Sequence, residues 1–498
     1  MVMVSIPQEQ RAVVLQGGGS LGAYEAGAYK AAYQFIKYRD KEKGNADRPV
    51  FDVIAGTSIG AINAAILTSY VVENKTWEGS AERLIDFWNY ISTESLSDRF
   101  ANQMMTWWNY WSQFFMDMAT SEAARRYYSS KEFAFMGVQK VFSPPHTDPD
   151  NKFFDLANAW YRYDSQPLKR SIERFAKFPI ATSHEENQPR LLLVAVDVAL
   201  GQPVMFDSYV KEDGTRKSGY GRLIVDKDTG PSHNPKVIGF EHVIRYPEGI
   251  TSDQVIASAS VPVNYDYVQL EVEDYDPQIK NYKKKIHYFW DGGILANTPL
   301  MPVIQAYRQY WYFVRRVKDA VPKLSVALIA LHPSQVDKVP WDHDGVVNRK
   351  ADIVFGDRTK TDETIMLVIS EYIGLVKKLI NIAREHGVKQ KIIDDLLDQP
   401  IATQERMEGV RAVTYRDGIE GAVNIGEVIR IQRKHDEHSI ANKIFDFSSN
   451  TIKQLLQNGY DDVVDWAKTR FGVEHLDAAG MQYSKTDVTT AQIRQRQE

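Results

Sequence analysis

Twice within the first 70 residues, a short apolar run breaks at a glycine cluster and continues as a small-residue helix pattern. Arg11 to Gln16 (RAVVLQ) ends at Gly17-Gly18-Gly19-Ser20-Leu21-Gly22, and Ala23 to Tyr38 follows with helical spacing. After a charged loop from Arg39 to Pro49, Val50 to Ala55 (VFDVIA) ends at Gly56-Thr57-Ser58-Ile59-Gly60, and Ile59 to Tyr70 forms the second helix pattern. A strand that needs a helix before the next strand is a parallel strand. The expected fold class is therefore α/β, with a mostly parallel central sheet flanked by helices. Further strands are expected at Leu191 to Ala199, Pro203 to Phe206, His287 to Trp290 and Leu324 to Leu331, with a late one at Glu427 to Gln432 able to rejoin the sheet edge.

Between about Asn89 and Pro189 the composition changes. WNY (Trp88 to Tyr90), MMTWWNYWSQFFMDM (Met104 to Met118) and WYRY (Trp160 to Tyr163) make a helical, aromatic-rich insertion. Such a stripe is either buried core or a hydrophobic lid facing lipid. The polar, glycine-bearing stretch from Lys211 to Pro235 reads as a loop or hairpin. After Pro333 the chain turns mostly helical, with an amphipathic helix at Glu363 to Arg384 and another starting after the capping types Ser448, Ser449 and Asn450. The resulting division is residues 10–332 with the insertion at about 90–189, then a mostly helical region 333–480, then a polar tail 481–498.

Composition removes whole classes of chemistry. The chain has 498 residues and no cysteine, so disulfides, thiolate nucleophiles and Cys-ligated metal sites are excluded. Its formal charge of −5 offers no broad attraction for nucleic acid. The longest apolar run, Leu191 to Leu200, is too short to span a bilayer and carries Asp197. The first residues lack a basic stretch followed by an apolar core, so a secretory signal is not expected. A soluble, cytoplasmic protein is expected, able to touch a membrane at its periphery through the aromatic insertion. No cofactor, metal or calcium site is implied, and oligomeric state is not legible.

Three motifs carry chemistry. Gly56-Thr57-Ser58-Ile59-Gly60 is a G-x-S-x-G between a strand and a helix, the setting in which a sharp turn projects a nucleophilic Ser58. The helix dipole behind it favours negative charge at the serine. Gly17, Gly18 and Gly19 suit an oxyanion hole, because consecutive glycines let backbone N–H groups converge on one oxygen. The same run matches a dinucleotide fingerprint. That reading fails for want of an acidic residue at the end of the next strand: Asp40 and Glu42 fall in the charged loop. Asp291-Gly292-Gly293 directly follows the strand at His287, putting a carboxylate at a strand end where it can act as a base without histidine. Downstream, Thr298 is expected to cap a helix that begins at Pro299, with Asn297 structural.

Together these residues resemble the patatin-like phospholipase family. ASASVP (Ala257 to Pro262) looks like a further block of it, and Phe445 to Asp462 looks like the tail of bacterial members with an extra C-terminal region. The resemblance implies a three-layer fold, a glycine-loop oxyanion hole at Gly17 to Gly19, a nucleophile at Ser58 in an elbow formed by Gly56 and Gly60, and Asp291 as the base of a Ser–Asp dyad. It implies a lipid or ester substrate and hydrolysis of phospholipase A, lysophospholipase or esterase type. The family often carries Lys or Arg where this chain has Leu21. The alternatives are a lipid-binding or scaffolding protein on the same frame, and acyl transfer to another alcohol.

Other polar residues carry less. The order Ser58, Asp291, His332 superficially matches a histidine triad, but the glycine loop and elbow come too early in the chain for that fold. His287 lies four strand residues from Asp291, about 13 Å away. His435-Asp436-Glu437-His438 reads as a solvated loop, Lys283-Lys284-Lys285 as a solvated turn, and Asp197 as a hydrogen-bonded structural carboxylate.

Overall fold

The computed structural model describes residues 6–94, 122–145, 161–210, 216–217, 223–225, 237–240, 245–246, 248–276, 281–315, 317, 321–399, 414–420, 424–434, 440, 442–477 and 480–483. Met104 to Met118, His435 to His438, most of Lys211 to Pro235 and the tail from residue 484 lie outside the described residues.

Ten strands join in one sheet: β1 (Glu9–Leu15), β2 (Val53–Thr57), β3 (Arg190–Asp197), β4 (Gln202–Asp207), β5 (Arg216–Lys217), β6 (Arg245–Tyr246), β7 (Val268–Asp276), β8 (Asn281–Asp291), β9 (Lys323–Ala330) and β10 (Ile425–Gln432). The order is β10-β9-β1-β2-β3-β8-β7-β6-β5, with β4 also on β3. β10, β9, β1, β2 and β3 run parallel, and the strands beyond β3 pair antiparallel. The late strand expected at Glu427 to Gln432 is the sheet's parallel edge.

Alternation along the strands sends side chains to two separate cores. Val13, Leu15, Ile54, Leu191 and Leu193 face one, covered by α1 (Gly22–Glu42), α2 (Ile59–Asn74), α3 (Ser80–Ile91) and the long C-terminal helix Ser449–Phe471. Ala12, Val14, Val53, Ala55, Leu192 and Val194 face the other, covered by Leu300–Arg308 and by Tyr310 and Trp311. The three layers are helix, sheet, helix. β1, β2 and β3 are buried on both faces over most of their length, which is why RAVVL and RLLLVAV are continuous apolar runs rather than alternating ones.

The remaining helices are α4 (Glu122–Met136), α5 (Gln166–Phe175), α6 (Ser252–Ala259), α7 (Gly293–Ala296), α8 (Leu300–Arg308), α9 (His343–Phe355), α10 (Thr359–Glu385), α11 (Gln390–Leu397), α12 (Tyr415–Glu420) and α13 (Ser449–Phe471). Ser448 caps α13 by accepting from the Thr451 amide, as its residue type predicts. In the insertion, Trp88, Phe142 and Tyr163 are core residues, whereas Tyr128, Phe135 and Met136 are exposed.

Four expectations change. The loop from Arg39 begins later, because α1 runs to Glu42 and Asp40 is buried in its last turn against the Arg11 guanidinium, 2.6 Å to each oxygen. Lys283 to Lys285 form no turn; they lie within β8, paired with β7. Thr298 is not a cap: α8 starts one residue later than expected, and the Thr298 hydroxyl accepts from the Gln16 side chain at 2.7 Å. The polar tail also starts later than Met481, since Gly480–Tyr483 forms a strand against Val473–Asp477. Among the described residues, no helix is long and apolar enough to cross a membrane.

Candidate active site

The registers of β3 explain how residues 58 and 291 meet. β4 occupies one edge of β3 from Leu192 to Asp197. The other edge is therefore shared by β2 and β8. β2 pairs with it from Arg190 to Val194, ending with Thr57 opposite Val194. β8 arrives from the opposite direction and ends with Asp291 opposite Ala195. Two strand ends thus meet head to head at adjacent positions of one neighbour: Ser58 directly follows the end of β2, and Asp291 is the last residue of β8.

Ser58 sits at φ 56° and ψ −124°, a conformation a non-glycine residue rarely holds. The turn is tight because a Cβ at Gly56 would lie 2.2 Å from the Gly60 carbonyl oxygen, and one at Gly60 would lie 2.4 Å from that of Leu15. Both elbow glycines are therefore required by close backbone approach, as the motif predicts. The Ser58 carbonyl accepts the first bond of α2, from the Ala61 amide at 3.0 Å. The Ile59 and Gly60 amides open the helix beside the serine hydroxyl.

Asp291 is 3% exposed. Burial raises its carboxyl to a pKa of about 6; hydrogen bonds from the Ser58 hydroxyl and the Gly293 amide, the latter at 2.6 Å, act in the opposite direction. The acid is thus held against the serine by the strand junction and kept at a basicity well above an ordinary aspartate.

A bracket between the two was not assigned from sequence. The Ser258 hydroxyl accepts from the Ser58 amide at 3.1 Å and donates to the Val194 carbonyl at 2.6 Å. Two residues on, the Ser260 carbonyl accepts from the Asp291 amide at 2.8 Å. The ASAS segment therefore pins the backbone of both Ser58 and Asp291. Its only sequence signal was the small-residue block itself.

The glycine loop passes over the elbow. A Cβ at Gly17 would lie 2.9 Å from that of Ser58. Gly19 has φ 58° and touches the Ile444 carbonyl, where a Cβ would come within 2.5 Å. The N–H of Gly17, expected as an oxyanion donor, donates to the Asn297 carbonyl at 3.3 Å. Gly18 and Gly19 make no amide bond to any described acceptor. Asn297 does more than hold its own turn, because its side-chain amide donates to the Gly17 carbonyl at 3.2 Å and to the Phe355 carbonyl at 2.7 Å.

Two polar residues at the loop's base escaped sequence reasoning. The Gln16 side chain accepts from the Leu331 amide at 2.6 Å and donates to Thr298 and to the Phe355 carbonyl. Glu25 is fully buried and accepts from the Gln16 amide and the Asn63 side chain, at 2.7 and 2.8 Å. Burial pushes its carboxyl well above the usual carboxylate range. A polar residue ending an apolar strand was the available clue for Gln16.

The other residues considered from sequence stay apart from the serine. Asp197 accepts from the Ala199 and Leu200 amides and faces His287 Nδ1 at 2.6 Å, a structural role. His332 lies behind the glycine loop with Asp352 and does not reach Ser58 or Asp291 through any described bond. Just downstream of ASASVP and of Asp291, Val263, Ile294 and Leu295 are 52%, 46% and 51% exposed.

A family model described as Patatin-like phospholipase matches residues 13–304, more than half of the chain. The crystal structure of VipD from Legionella pneumophila aligns over 92% of this chain at 11% identity and a TM-score of 0.27, too loose to bear on the fold. This chain spans 66% of that one, just under two thirds. No curated protein sequence matches.

Proposed function

The chain belongs to the patatin-like phospholipase family, and from that membership and the geometry around Ser58 we propose a serine hydrolase of lipid carboxylic esters working through a Ser58–Asp291 dyad. The observation that carries the proposal is the strand junction on β3, which sets a serine elbow against one buried carboxylate.

Asp291 accepts the Ser58 proton as Oγ attacks the acyl carbonyl carbon. The carbonyl oxygen becomes an oxyanion facing the Gly18 and Gly19 amides and the start of α2. Each such donor is worth roughly 10²–10³ in kcat. Collapse expels the alcohol, which leaves with the proton from Asp291, and an acyl-Ser58 remains. Water then gives its proton to Asp291 and attacks the acyl group. The fatty acid leaves and Ser58 Oγ takes the proton back. A pKa of about 6 leaves Asp291 ionised at neutral pH yet a stronger base than an ordinary aspartate. The exposed Val263, Ile294 and Leu295, just downstream of ASASVP and Asp291 in the chain, offer apolar surface suited to an acyl chain.

The test is Ser58→Ala and Asp291→Asn assayed on aryl and phospholipid esters, with fluorophosphonate labelling of the unaltered chain. Labelling at Ser58 and loss of turnover in both variants are expected. Full turnover in either variant would overturn the dyad.

A further inference from the structure

Behind the glycine loop, three buried polar side chains from distant parts of the chain converge. His332 follows β9, Asp352 lies on α9, and Lys443 opens the short turn Lys443–Phe445. Asp352 Oδ1 receives Lys443 Nζ at 2.7 Å and faces His332 Nδ1 at 2.9 Å; its other oxygen accepts from Asn348 at 3.3 Å. The far ring nitrogen, His332 Nε2, is 3.2 Å from the Gly17 carbonyl oxygen, which also accepts from the Asn297 side-chain amide at 3.2 Å. The dyad has no use for any of these groups.

The Gly17 carbonyl is one end of a peptide unit whose other end is the Gly18 N–H. In a trans peptide the two point in opposite directions. A donor that draws the carbonyl one way therefore aims the amide the opposite way. Between two glycines such a plane has little steric reason to keep one orientation. A hydrogen bond to the carbonyl also polarises the amide and makes it a better donor. A carbonyl oxygen cannot donate, so the bond to Gly17 requires a proton on His332 Nε2. Lys443 and Asn348 give Asp352 donors of its own, so the carboxylate stays partnered whichever ring nitrogen is protonated.

The same turn grips the loop a second time. The Lys443 carbonyl accepts the Ser20 hydroxyl at 2.8 Å, and the Ile444 carbonyl lies against Gly19.

We propose that His332 is a positioning residue for the oxyanion hole: seated beside the Asp352–Lys443 pair, its Nε2–H joins the Asn297 side-chain amide on the Gly17 carbonyl and fixes the Gly17–Gly18 peptide so that the Gly18 amide faces the reacting carbonyl. The C-terminal region, through Lys443, thereby completes a site whose reacting groups all lie before residue 300. This rests on the oxyanion-hole reading above.

The test compares His332→Leu, His332→Gln and Lys443→Met in the full chain, with fluorophosphonate titration giving kcat per reactive Ser58. His332→Leu should lower kcat about 10²-fold, with KM within about twofold, because only the transition state carries the oxyanion. It should also slow labelling without lowering the final labelled amount. His332→Gln, whose amide reaches the position of Nε2, should recover most of that loss. Lys443→Met should fall between. A merely structural role would lower the labelled amount and leave kcat per labelled site unchanged, and that result would overturn the proposal. So would equal kcat in the Leu and Gln variants. If Leu fails to fold, the Gln and Met variants decide alone: unchanged kcat in both would overturn it. Failure of the dyad itself is read separately, as an unaltered chain that takes no label at Ser58.

Discussion

Asp291→Asn should separate the cost of holding the acid from its use. In the native chain a buried Asp291 titrates at about 6 against an ordinary 3.8, a difference worth about 3 kcal/mol. The sign follows from linkage. A carboxyl whose folded pKa is raised favours the folded state fully below its unfolded pKa, and that contribution is lost as pH climbs from about 4 through about 6. At neutral pH the fold therefore carries an ionised, desolvated carboxylate at an energetic disadvantage. Asparagine is nearly isosteric, and its carbonyl can still accept from the Gly293 amide. The Ser58 hydroxyl can reverse its role and accept from the new amide. Urea denaturation of both chains at pH 7.5 and pH 4 is the assay. The variant should be more stable at pH 7.5 by up to about 3 kcal/mol, with the gain vanishing at pH 4, while ester turnover falls by about 10⁴-fold. An equal stability change at both pH values, or none at either, would refute the electrostatic account.

Three further outcomes follow from the same geometry. Turnover per enzyme should rise tenfold per pH step below about pH 6 and level off above it, because Asp291 must be ionised to accept a proton; a limb centred near 4 in a pH–rate profile would contradict its burial. Gly60→Ala should destabilise by about 1–3 kcal/mol or more, since its new Cβ meets the Leu15 carbonyl at 2.4 Å, and it should cost activity in proportion to elbow distortion; differential scanning calorimetry with an esterase assay checks both. Arg190→Met should cost about 3–5 kcal/mol, because it leaves Asp207 buried without the guanidinium that donates to it at 2.9 Å, and denaturant titration reads the loss.

Much of this site was legible because its motifs are local. A β-branched run ending in glycines and continuing as an alanine-rich helix specifies strand, tight turn and helix within 30 residues, so the elbow and the loop could be placed from sequence. Asp291 could be nominated for its position at a strand end. Its pairing with Ser58 could not be derived, because the register of β8 on β3 depends on residues more than 90 positions away. The misread elements have the same cause. Asp40 looked solvated because its partner Arg11 lies 29 residues earlier. Lys283 to Lys285 looked like a turn because the strand that pairs with them cannot be seen in their own composition. Thr298 looked like a cap, but Gln16 claims its hydroxyl from 282 residues away. The bond from the Gly17 amide to the Asn297 carbonyl, 280 residues away, was likewise invisible in the local motif.

The end of the family match at residue 304 is not a physical boundary. β1 carries the glycine loop, and β9, which begins at Lys323, pairs with it from Glu9 to Leu15. Without β9 the loop would hang from an edge strand with unpaired backbone along that side. β10 then covers β9 in parallel. On the helical face, α13 lies directly on α1: a Cβ at Gly27 would fall 1.8 Å from the Leu456 carbonyl oxygen, one at Gly459 would fall 2.0 Å from that of Tyr24, and the Tyr24 hydroxyl donates to Asp462 at 2.6 Å. Helices approach this closely only where both present glycine or a comparably small residue. α1 is the helix that leaves the glycine loop, so its placement passes to the loop itself. The region beyond the match thus supports the loop from three sides: β9 along the strand, α13 beneath the helix, and the turn at Lys443 and Ile444 against the glycines. A change in the C-terminal region that moved any of these would reach the Gly18 and Gly19 amides before it reached Ser58 or Asp291.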